Sequence, residues 1–365
     1  MSGGVDSSVS ALMLKQQGYR VIGMFMKNWE EKDENGVCTS TLDYEDVVRV
    51  CEQIDIPCYS VNFVKEYWDN VFAHFLEEFR KGYTPNPDIL CNREIKFKVL
   101  LDKALEIGGD YLATGHYCQK GGDESGWKLL KGNDPGKDQS YFLYTIGQHA
   151  LKHVLFPVGS MHKTDLRRFA HEHKLATSAK KDSTGICFIG KRDFKEFLGN
   201  YIPYTEGEFR TLDEKIVGKH PGAAFFTPGQ RKGMGVGGPG EPWFVVGKDV
   251  EKNIVYLAQG TLHPALFCDE LVATEASWVS GEPPEKLPYR CKSKVRYRQP
   301  DQDCVITKIE DGRVHVVFDI PQRAVTSRQS VVFYDNEICL GGAIIEKAGL
   351  SYYHQGKTLP SVVAP

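Results

Sequence analysis

The first residues of the chain combine serine, glycine and aspartate in an order that suits phosphate binding. The segment Ser2-Gly3-Gly4-Val5-Asp6-Ser7-Ser8 runs directly into a helical pattern that ends near Gly18. Two adjacent glycines let the backbone approach a ligand closely, and the free N–H groups at a helix N-terminus attract anions. Ser2 and Ser7 add hydroxyl donors, and Asp6 is the residue that would hold Mg²⁺ beside a pyrophosphate. The sequence therefore predicts a nucleotide phosphate site at this loop.

The phosphate loop contains no lysine, so it differs from the Gly-Lys-Ser/Thr loop that cradles the terminal phosphates in γ-cleaving NTPases. A serine–glycine turn that only caps a helix is the simpler alternative. The pattern Ser-Gly-Gly-x-Asp-Ser-Ser before a helix, however, resembles the PP-loop of ATP pyrophosphatases. That resemblance implies cleavage of ATP between its α and β phosphates and adenylation of a carbonyl or carboxylate oxygen. Several substrates, small metabolites among them, stay open at this point.

Two cysteines lie in polar, turn-prone segments that differ from the usual surroundings of a buried thiol. Cys91 follows the proline-rich stretch 82–90 and precedes a helix predicted to begin near Ile95, while Cys187 follows Gly185 and two lysines. A cysteine just before a helix start, with basic residues after it, has reasons for a lowered thiol pKa. Inert core packing is the alternative. Two such thiols in a chain with an adenylating loop favour nucleophilic or sulfur-transfer chemistry.

The composition is that of an ordinary globular protein, with 41% hydrophobic and 25% charged residues in a chain of 365. The ten cysteines include no Cys-x-x-Cys pair, which argues against a zinc site or a disulfide framework. The formal net charge of −3 argues against a generally basic RNA-coating protein, although it allows a local basic track. No apolar stretch is long enough to span a bilayer. We expect a cytoplasmic protein that makes no membrane contact.

The first half of the chain alternates short apolar runs with helical patterns, which predicts a parallel sheet with helices on both faces. The predicted strands are Tyr19–Phe25, Cys58–Phe63 and Tyr111–Thr114, and the predicted helices are Leu42–Gln53, Glu66–Lys81, Ile95–Ile107 and Lys163–His173, the last capped by Thr164. Beyond about residue 262 the chain is nearly all strand and turn, as is typical of a small barrel. We therefore predict an α/β domain at 1–195, a small central domain at 196–261, a C-terminal β-barrel at 262–350 and a loose tail at 351–365.

One strand of the predicted barrel, Tyr289–Arg298, carries a marked basic pattern. Side chains alternate between the two faces of a strand, so Lys292, Lys294, Arg296 and Arg298 would form one cationic row. A solvated strand face is the plain alternative. Four like charges in register repel one another, however, and that cost makes sense if nucleic-acid phosphates are the partner.

With these motifs in place, the chain resembles the bacterial tRNA-specific 2-thiouridylases over essentially all of residues 1–347. The similar segments are the phosphate loop and residues 25–30, 84–97, 113–117, 137–143, 182–190, 227–233 and 329–345. The resemblance implies a Rossmann-like PP-loop domain of the adenine nucleotide α-hydrolase type. It also implies a reaction, in which ATP and Mg²⁺ activate the wobble uridine of tRNA for 2-thiolation.

The resemblance further implies roles for individual residues. Cys187 would carry a persulfide received from a sulfur-relay protein or a cysteine desulfurase, and Cys91 would form a transient disulfide with it. Asp88 would be a general acid/base beside the activated base, which has to leave the stack to reach a pocket. The other residues given roles are Met26 and Gly115 at the nucleotide, and Asn86, Pro87, Asp88, His116, Lys137, Asp138, Gln139, Arg296, Tyr297 and Gln329 as tRNA contacts.

Two functions of other kinds stay open. Another PP-loop ligase that makes a small metabolite would explain the phosphate loop but neither cysteine nor the cationic strand. An RNA-binding module that has lost catalysis is disfavoured because both cysteines and Asp88 are present. A mitochondrial relative is a further alternative, although no transit peptide is visible.

The start of the chain departs from the pattern that this resemblance implies. Relatives carry a short apolar strand before the phosphate loop, ending in Gly-Met-Ser-Gly-Gly, whereas this sequence begins at that methionine. Such a strand would be buried on both faces, and each large apolar side chain contributes roughly 1.5–3 kcal/mol. We expect the natural protein to start upstream. A chain with the upstream codons restored should have the higher melting temperature and bind ATP more tightly, and equal values for both chains would contradict this.

Overall fold

The computed structural model of the protein describes residues 1–30, 39–182, 194–203 and 205–363, so Cys187 lies outside the described residues. The N-terminal part is mixed α/β with parallel strands, a four-stranded sheet follows, and the chain ends in an antiparallel barrel. The predicted fold class is therefore confirmed.

Most of the predicted helices have bounds close to the predicted ones, except that the helix predicted from Ile95 begins at Pro87. In chain order they are α1 Val5–Gln16, α2 Thr39–Gln53, α3 64–80, α4 87–106, α5 Gln148–Lys152, α6 Lys163–Glu172 and α7 Phe194–Gly199. Both α3 and α4 contain π-helical turns, at Trp68–Phe72 and Cys91–Leu100. Helix α6 begins after His162 as its N-cap, so Thr164 lies inside the helix and the predicted cap is wrong.

The strands divide into an N-terminal, a central and a C-terminal group. They are β1 Gly23–Lys27, β2 Cys58–Asn62, β3 Leu112–Ala113, β4 Cys118–Asp123, β5 Gly126–Lys131, β6 Val154–Leu155, β7 Gly207–Thr211, β8 Ile216–His220, β9 Trp243–Asp249, β10 Ile254–Gln259, β11 Phe267–Trp278, β12 Tyr289–Lys294, β13 Gln302–Glu310, β14 Arg313–Arg323, β15 Ser330–Asp335 and β16 Ile338–Ala348. The first strand therefore lies four residues later than the predicted start at Tyr19.

The parallel strands of the α/β part occur as two pairs, β1 with β2 and β3 with β6. Val5 and Val9 of α1 belong to the same buried cluster as Leu166 and Ala170 of α6. Apolar residues three or four apart on each helix build this contact, as expected for amphipathic helices. The packing fixes the start of α6 beside the start of α1.

The C-terminal barrel is closed by antiparallel pairing in the order β11-β14-β13-β12-β15-β16, with β16 returning to β11. Its interior holds buried apolar side chains, among them the facing thiols of Cys291 and Cys304, whose sulfurs are 3.7 Å apart. The hairpin β4–β5 comes from the α/β part and extends the barrel sheet through pairing of β5 with β16. The sequence did not predict this hairpin.

The residues predicted as a loose tail contact the barrel over their described part. The N–H of Tyr352 donates to the carbonyl of Phe267, and Leu359 and Val363 pack against the buried cluster of Phe244 and Phe267. Apolar side chains therefore hold this segment down, as happens for termini that dock on a domain.

The barrel docks on the α/β part through a buried ion pair. Glu78 of α3 is 4% exposed, and its Oε2 lies 2.6 Å from Nε of Arg328, as an ion pair rather than an aligned hydrogen bond. The guanidinium of Arg328 also lies over the ring of Tyr83, 5.2 Å from its centre. Lys81 contacts the other oxygen of Glu78 at 3.4 Å.

Replacing Arg328 with Met should destabilise the protein more than an equivalent change in an exposed ion pair. The carboxylate of Glu78 would stay buried with Lys81 as its nearest cation, so we expect a loss of about 2–4 kcal/mol in the free energy of unfolding, measured by urea denaturation. Arg313→Met, which breaks the exposed pair with Glu346, is the matched control and should change the free energy of unfolding far less, because water screens this pair. Equal losses for the two variants would contradict this account.

Candidate active site

The phosphate loop is held in shape by its own serines. Gly4 is the N-cap of α1, and its carbonyl accepts hydrogen bonds from the hydroxyls of Ser7, at 3.2 Å, and Ser8, at 2.9 Å. The N–H of Ser2 donates to Oγ of Ser7 at 3.1 Å, so the chain folds back over the helix start. The backbone N–H groups of the first helical turn point out of this end, where a helix binds anions.

Two glycines bring other segments against this loop. Gly3 has a φ of +70°, and a Cβ there would lie 2.6 Å from the carbonyl oxygen of Asp43. A Cβ on Gly115, just after β3, would lie 2.9 Å from the backbone nitrogen of Ser7. Both distances are shorter than any side chain tolerates, so glycine is required at both positions. The structure thus brings the predicted residue Gly115 to the loop.

Asp6, in the first turn of α1, is already paired with other side chains. Its Oδ1 accepts hydrogen bonds from the hydroxyl of Tyr117, at 2.8 Å, and from Nζ of Lys163, at 2.6 Å. Burial together with the charge of Asp6 raises the pKa of Tyr117, so the tyrosine stays a donor. The predicted magnesium ligand is therefore oriented by a tyrosine and a lysine.

Asp182 lies at the centre of a group of cations beside the loop. Its carboxylate lies 2.8 Å from Nζ of Lys137, 3.0 Å from Nζ of Lys163 and 2.5 Å from a guanidinium nitrogen of Arg167. Burial works to raise the pKa of Asp182, but the hydrogen bonds and charges of the two lysines outweigh it and hold the pKa well below its usual range. Lys137, a predicted tRNA contact, is thus linked to the phosphate loop through Asp182 and Lys163.

The segment that carries Cys91 is helical from Pro87 onward. The side chain of Asn86 caps this helix by accepting hydrogen bonds from the N–H groups of Asp88, at 3.1 Å, and Ile89, at 3.4 Å, and Pro87 occupies the first helical position, where its missing N–H costs nothing. Cys91 therefore lies inside α4, with 2% of its surface exposed, instead of just before a helix start. The helix start predicted near Ile95 was therefore eight residues too late.

Asp88 and His116 face a common neighbour, Lys96. Burial raises the pKa of Asp88, and the charge of Lys96 opposes this rise. Burial, with the charge of Lys96, lowers the pKa of His116 well below its usual value, so this imidazole is neutral at physiological pH. His116 accepts or donates at Nδ1 with the hydroxyl of Thr114, 2.9 Å away, and its ring packs near Phe97.

Two of the predicted tRNA contacts have internal partners. Asp138 is 5% exposed and accepts hydrogen bonds from the N–H groups of Gly132 and Ser140, each at 3.1 Å. Gln139 exchanges hydrogen bonds with the backbone of Tyr117, its Oε1 accepting at 2.9 Å. These bonds hold both side chains in place, and a contact of either residue with tRNA stays a prediction.

The predicted cationic row does not form, because β12 ends at Lys294. Lys294 is buried, and its ammonium lies 3.5 Å from Asp138 and 3.7 Å from Asp301. Beyond the strand the chain turns, so Arg296 and Arg298 no longer follow the alternation of the strand. The predicted cationic row is therefore wrong. One of its members, Lys294, pairs with carboxylates inside the protein.

Arg296 and Gln329 lie where the three parts of the chain meet. One guanidinium nitrogen of Arg296 donates to the carbonyls of Pro228, at 3.0 Å, and Ala324, at 2.9 Å, and to the hydroxyl of Thr326, at 2.8 Å. The side-chain amide of Gln329 donates to the carbonyl of Thr84, two residues before the cap of α4. The hydroxyls of Thr84 and Thr227 are 3.0 Å apart.

Tyr297 and Met26 are both partly buried against the main hydrophobic cluster. The ring of Tyr297 lies 4.4 Å from that of Phe142, and its hydroxyl donates to the carbonyl of Lys137 at 3.4 Å. Met26 lies on β1. Tyr297 therefore packs partly against the core, and its contact with tRNA stays a prediction.

Sequence reasoning missed Lys163 and gave Asp182 and Lys96 no role of their own. Lys163 opens a helix about 150 residues after the phosphate loop, and no local pattern indicates that the two meet. Within residues 1–30, 39–182, 194–203 and 205–363, no group of three or more His, Cys, Asp or Glu side chains could hold a metal ion. In the same ranges no helix is long and apolar enough to cross a membrane.

Most of the cysteines that the structure describes are buried. The exception is Cys58, which is partly exposed.

Three family models match successive parts of the chain. They are the tRNA methyl transferase HUP domain at residues 1–191, the tRNA methyl transferase PRC-barrel domain at 195–259 and the aminomethyltransferase β-barrel domain at 268–345. A HUP domain with a phosphate loop, followed by two barrel modules, defines a class of tRNA-modifying enzymes. A solved structure of NMN synthetase from Francisella tularensis is only weakly similar, with a TM-score of 0.32 and 15% identity over 53% of this chain and 68% of that one.

Curated relatives match over nearly the whole length of the chain. The tRNA-specific 2-thiouridylase MnmA of Protochlamydia amoebophila is 62% identical over 361 residues, covering 99% of this chain and 96% of the relative. The MnmA proteins of Geobacillus thermodenitrificans and Alkaliphilus oremlandii are each 57% identical, over 95% of this chain and 93% and 96% of their own. The chain belongs to the tRNA-specific 2-thiouridylase family.

The neutral state of His116 predicts a pH dependence of stability. In the unfolded chain a histidine binds a proton below about pH 6.5, whereas His116 in the folded protein does so only at much lower pH. The free energy of unfolding should therefore fall as the pH drops below about 6.5, by up to about 1.4 kcal/mol per pH unit from this residue.

Urea denaturation of the wild type and of His116→Asn between pH 5 and 7.5 measures this contribution, and the variant should show the shallower pH dependence. His171→Asn, at an exposed position of α6, is the control and should follow the wild type. Parallel curves for wild type and His116→Asn would show that the imidazole does not contribute.

Proposed function

We propose that the protein uses ATP to adenylate O2 of the wobble uridine of tRNA and then replaces this oxygen with sulfur from a persulfide on Cys187. The products are the 2-thiouridine of tRNA, AMP and pyrophosphate. The family membership supports a tRNA substrate, since the relatives are named tRNA-specific 2-thiouridylases. Another PP-loop ligase would share the loop without needing the barrel or the two thiols.

The observation that carries the proposal is the position of residues 115–117 between two parts of the site. On one side Gly115 and Tyr117 contact Asp6 and Ser7 of the phosphate loop. On the other side His116 packs near Phe97 of α4. The charge of Lys96 acts to lower the pKa of His116 and also that of Asp88. A nucleotide at the loop and a base beside Asp88 would therefore be neighbours.

Adenylation requires a site for the polyphosphate and a group that exchanges protons with the base. The N-terminus of α1 would bind the pyrophosphate as it leaves. Asp88, whose pKa is raised by burial, would accept the N3 proton of uridine as O2 attacks the α-phosphorus. Mg²⁺ commonly takes one or two protein carboxylates and completes its shell with phosphate oxygens and water, so the single carboxylate of Asp6 fits such an ion, which would offset the charge of the pyrophosphate.

Sulfur transfer then uses two thiols in sequence. The terminal sulfur of the Cys187 persulfide attacks C2 and AMP departs, taking O2 with it. The thiolate of Cys91 next attacks the inner sulfur, the bond between the two persulfide sulfurs breaks, and its electron pair stays on the sulfur attached to C2. Asp88 returns the proton to N3, which gives neutral 2-thiouridine. The result is a disulfide between Cys91 and Cys187, which an external thiol reduces before a protein persulfide donor reloads Cys187. The reaction would take place in the cytoplasm, with tRNA as the partner.

Replacing either cysteine should abolish thiolation, but the two replacements should block different steps. We expect Cys91→Ala and Cys187→Ala each to abolish thiolation, as measured by mass spectrometry of tRNA nucleosides after incubation with ATP, Mg²⁺ and a protein persulfide donor. Adenylated tRNA should still form in both variants, because adenylation depends on the phosphate loop. Only Cys187→Ala should fail to acquire a persulfide.

Cys339→Ala, which removes another buried thiol, is the matched control and should thiolate tRNA as the wild type does. A Cys187→Ala enzyme that thiolates tRNA at the normal rate would overturn the sulfur-transfer scheme. Wild-type protein that forms no 2-thiouridine under these conditions would overturn the proposed function.

A further inference from the structure

Lys163 contacts the phosphate loop through Asp6, and the reaction scheme gives this lysine no role. Its ammonium lies 2.6 Å from Oδ1 of Asp6 and 3.0 Å from Oδ1 of Asp182, and 12% of its side chain is exposed. The backbone N–H of Lys163 donates to Asp134 at 2.9 Å, so the start of α6 is held in place. This lysine is therefore fixed beside the loop rather than free to move in solvent.

The carboxylate of Asp6 poses an electrostatic problem for a polyphosphate. Anions are attracted to the N-terminus of α1, but a carboxylate in its first turn repels them over the same few ångströms. The side chain of Asp6 is 32% exposed, so water screens this repulsion only in part. A cation fixed on Asp6 removes most of this repulsion before a ligand arrives.

The partners of Asp182 show that this role is specific to Lys163. Asp182 keeps Lys137 and Arg167 if Lys163 is lost, at 2.8 Å and 2.5 Å. Among the residues that the structure describes, the carboxylate of Asp6 would keep only the neutral hydroxyl of Tyr117. Removing the lysine charge should therefore leave the cluster around Asp182 paired and expose the charge of Asp6.

We propose that Lys163 is a positioning residue of the ATP site, which orients Asp6 and offsets its charge so that the polyphosphate can bind at the loop. The proposal rests on the proposed function only in taking ATP as the ligand. Its effect should be greatest when no divalent ion is present to take over the neutralisation of Asp6.

The test is the dissociation constant of a fluorescent ATP analogue, measured with Mg²⁺ and with EDTA. Lys163→Met should weaken binding by about tenfold or more in EDTA, the equivalent of about 1.4 kcal/mol, and by less in Mg²⁺. Lys163→Arg keeps the charge and should stay within about threefold of the wild type. Adding Asp6→Asn to Lys163→Met should recover most of the loss in EDTA, because the uncompensated charge is then gone.

Arg168→Met is the matched control, since Arg168 lies on the same helix but pairs at the surface with Asp165 at 2.8 Å. It should bind the analogue as the wild type does in both buffers. A Lys163→Met protein that binds normally in EDTA, loses affinity equally in both buffers, or is not rescued by Asp6→Asn would overturn the proposal. Failure of the wild type to thiolate tRNA, with this binding pattern intact, would instead count against the proposed function alone.

Discussion

The close approach of the chain after β3 to the N-terminus of α1 is the contact on which the rest of the site depends. At Gly115 there is no room for even one more carbon atom, and Tyr117 bonds to Asp6 two residues later. Strand β4 begins at the next residue, Cys118, and its hairpin joins the sheet of the barrel through β5 and β16. The barrel and the phosphate loop are thus connected by a few residues of tightly packed chain, and their relative position has little freedom.

Periodicity in the sequence predicted most of the helices. It did not predict elements whose structure depends on contacts between residues far apart in the chain. The apolar faces of α2 and α6 are visible as patterns with a helical period, and both helices were found. The hairpin β4–β5 was missed, because a glycine-rich pair of strands gains its stability from pairing with β16, about 210 residues later. Likewise, alternation predicted a strand through Arg298, whereas the N–H of Val295 bonds to the side chain of Gln299 in a turn.

The residues of the candidate site also fall into two groups: those with a local sequence signal and those that only the fold brings together. Local chemistry predicted the phosphate loop and the two cysteines, since each has a signal within a few residues, whereas Gly115 was given a role only by the resemblance to the family. The roles of the cysteines stay predictions. The start of α4 was misplaced although Asn86-Pro87 is a recognisable cap and first turn, because two prolines were interpreted as a loop. The ion pairs of Asp6 and Asp182 with Lys163 join segments that are far apart in sequence, and only the fold reveals them.

Several basic residues of the barrel make contacts within the protein. Lys294 is committed to Asp138, and Arg328 is committed to Glu78. Arg296 is a different case, because a single nitrogen of its guanidinium takes all three of its oxygen partners, and none of these carries a charge. Its Nε and other terminal nitrogen have no partner among the residues that the structure describes. An arginine stays charged even where burial lowers its pKa, as here. A guanidinium that is anchored at one nitrogen keeps further donors, so the role of Arg296 in joining the domains is compatible with the predicted contact with tRNA, which stays a prediction.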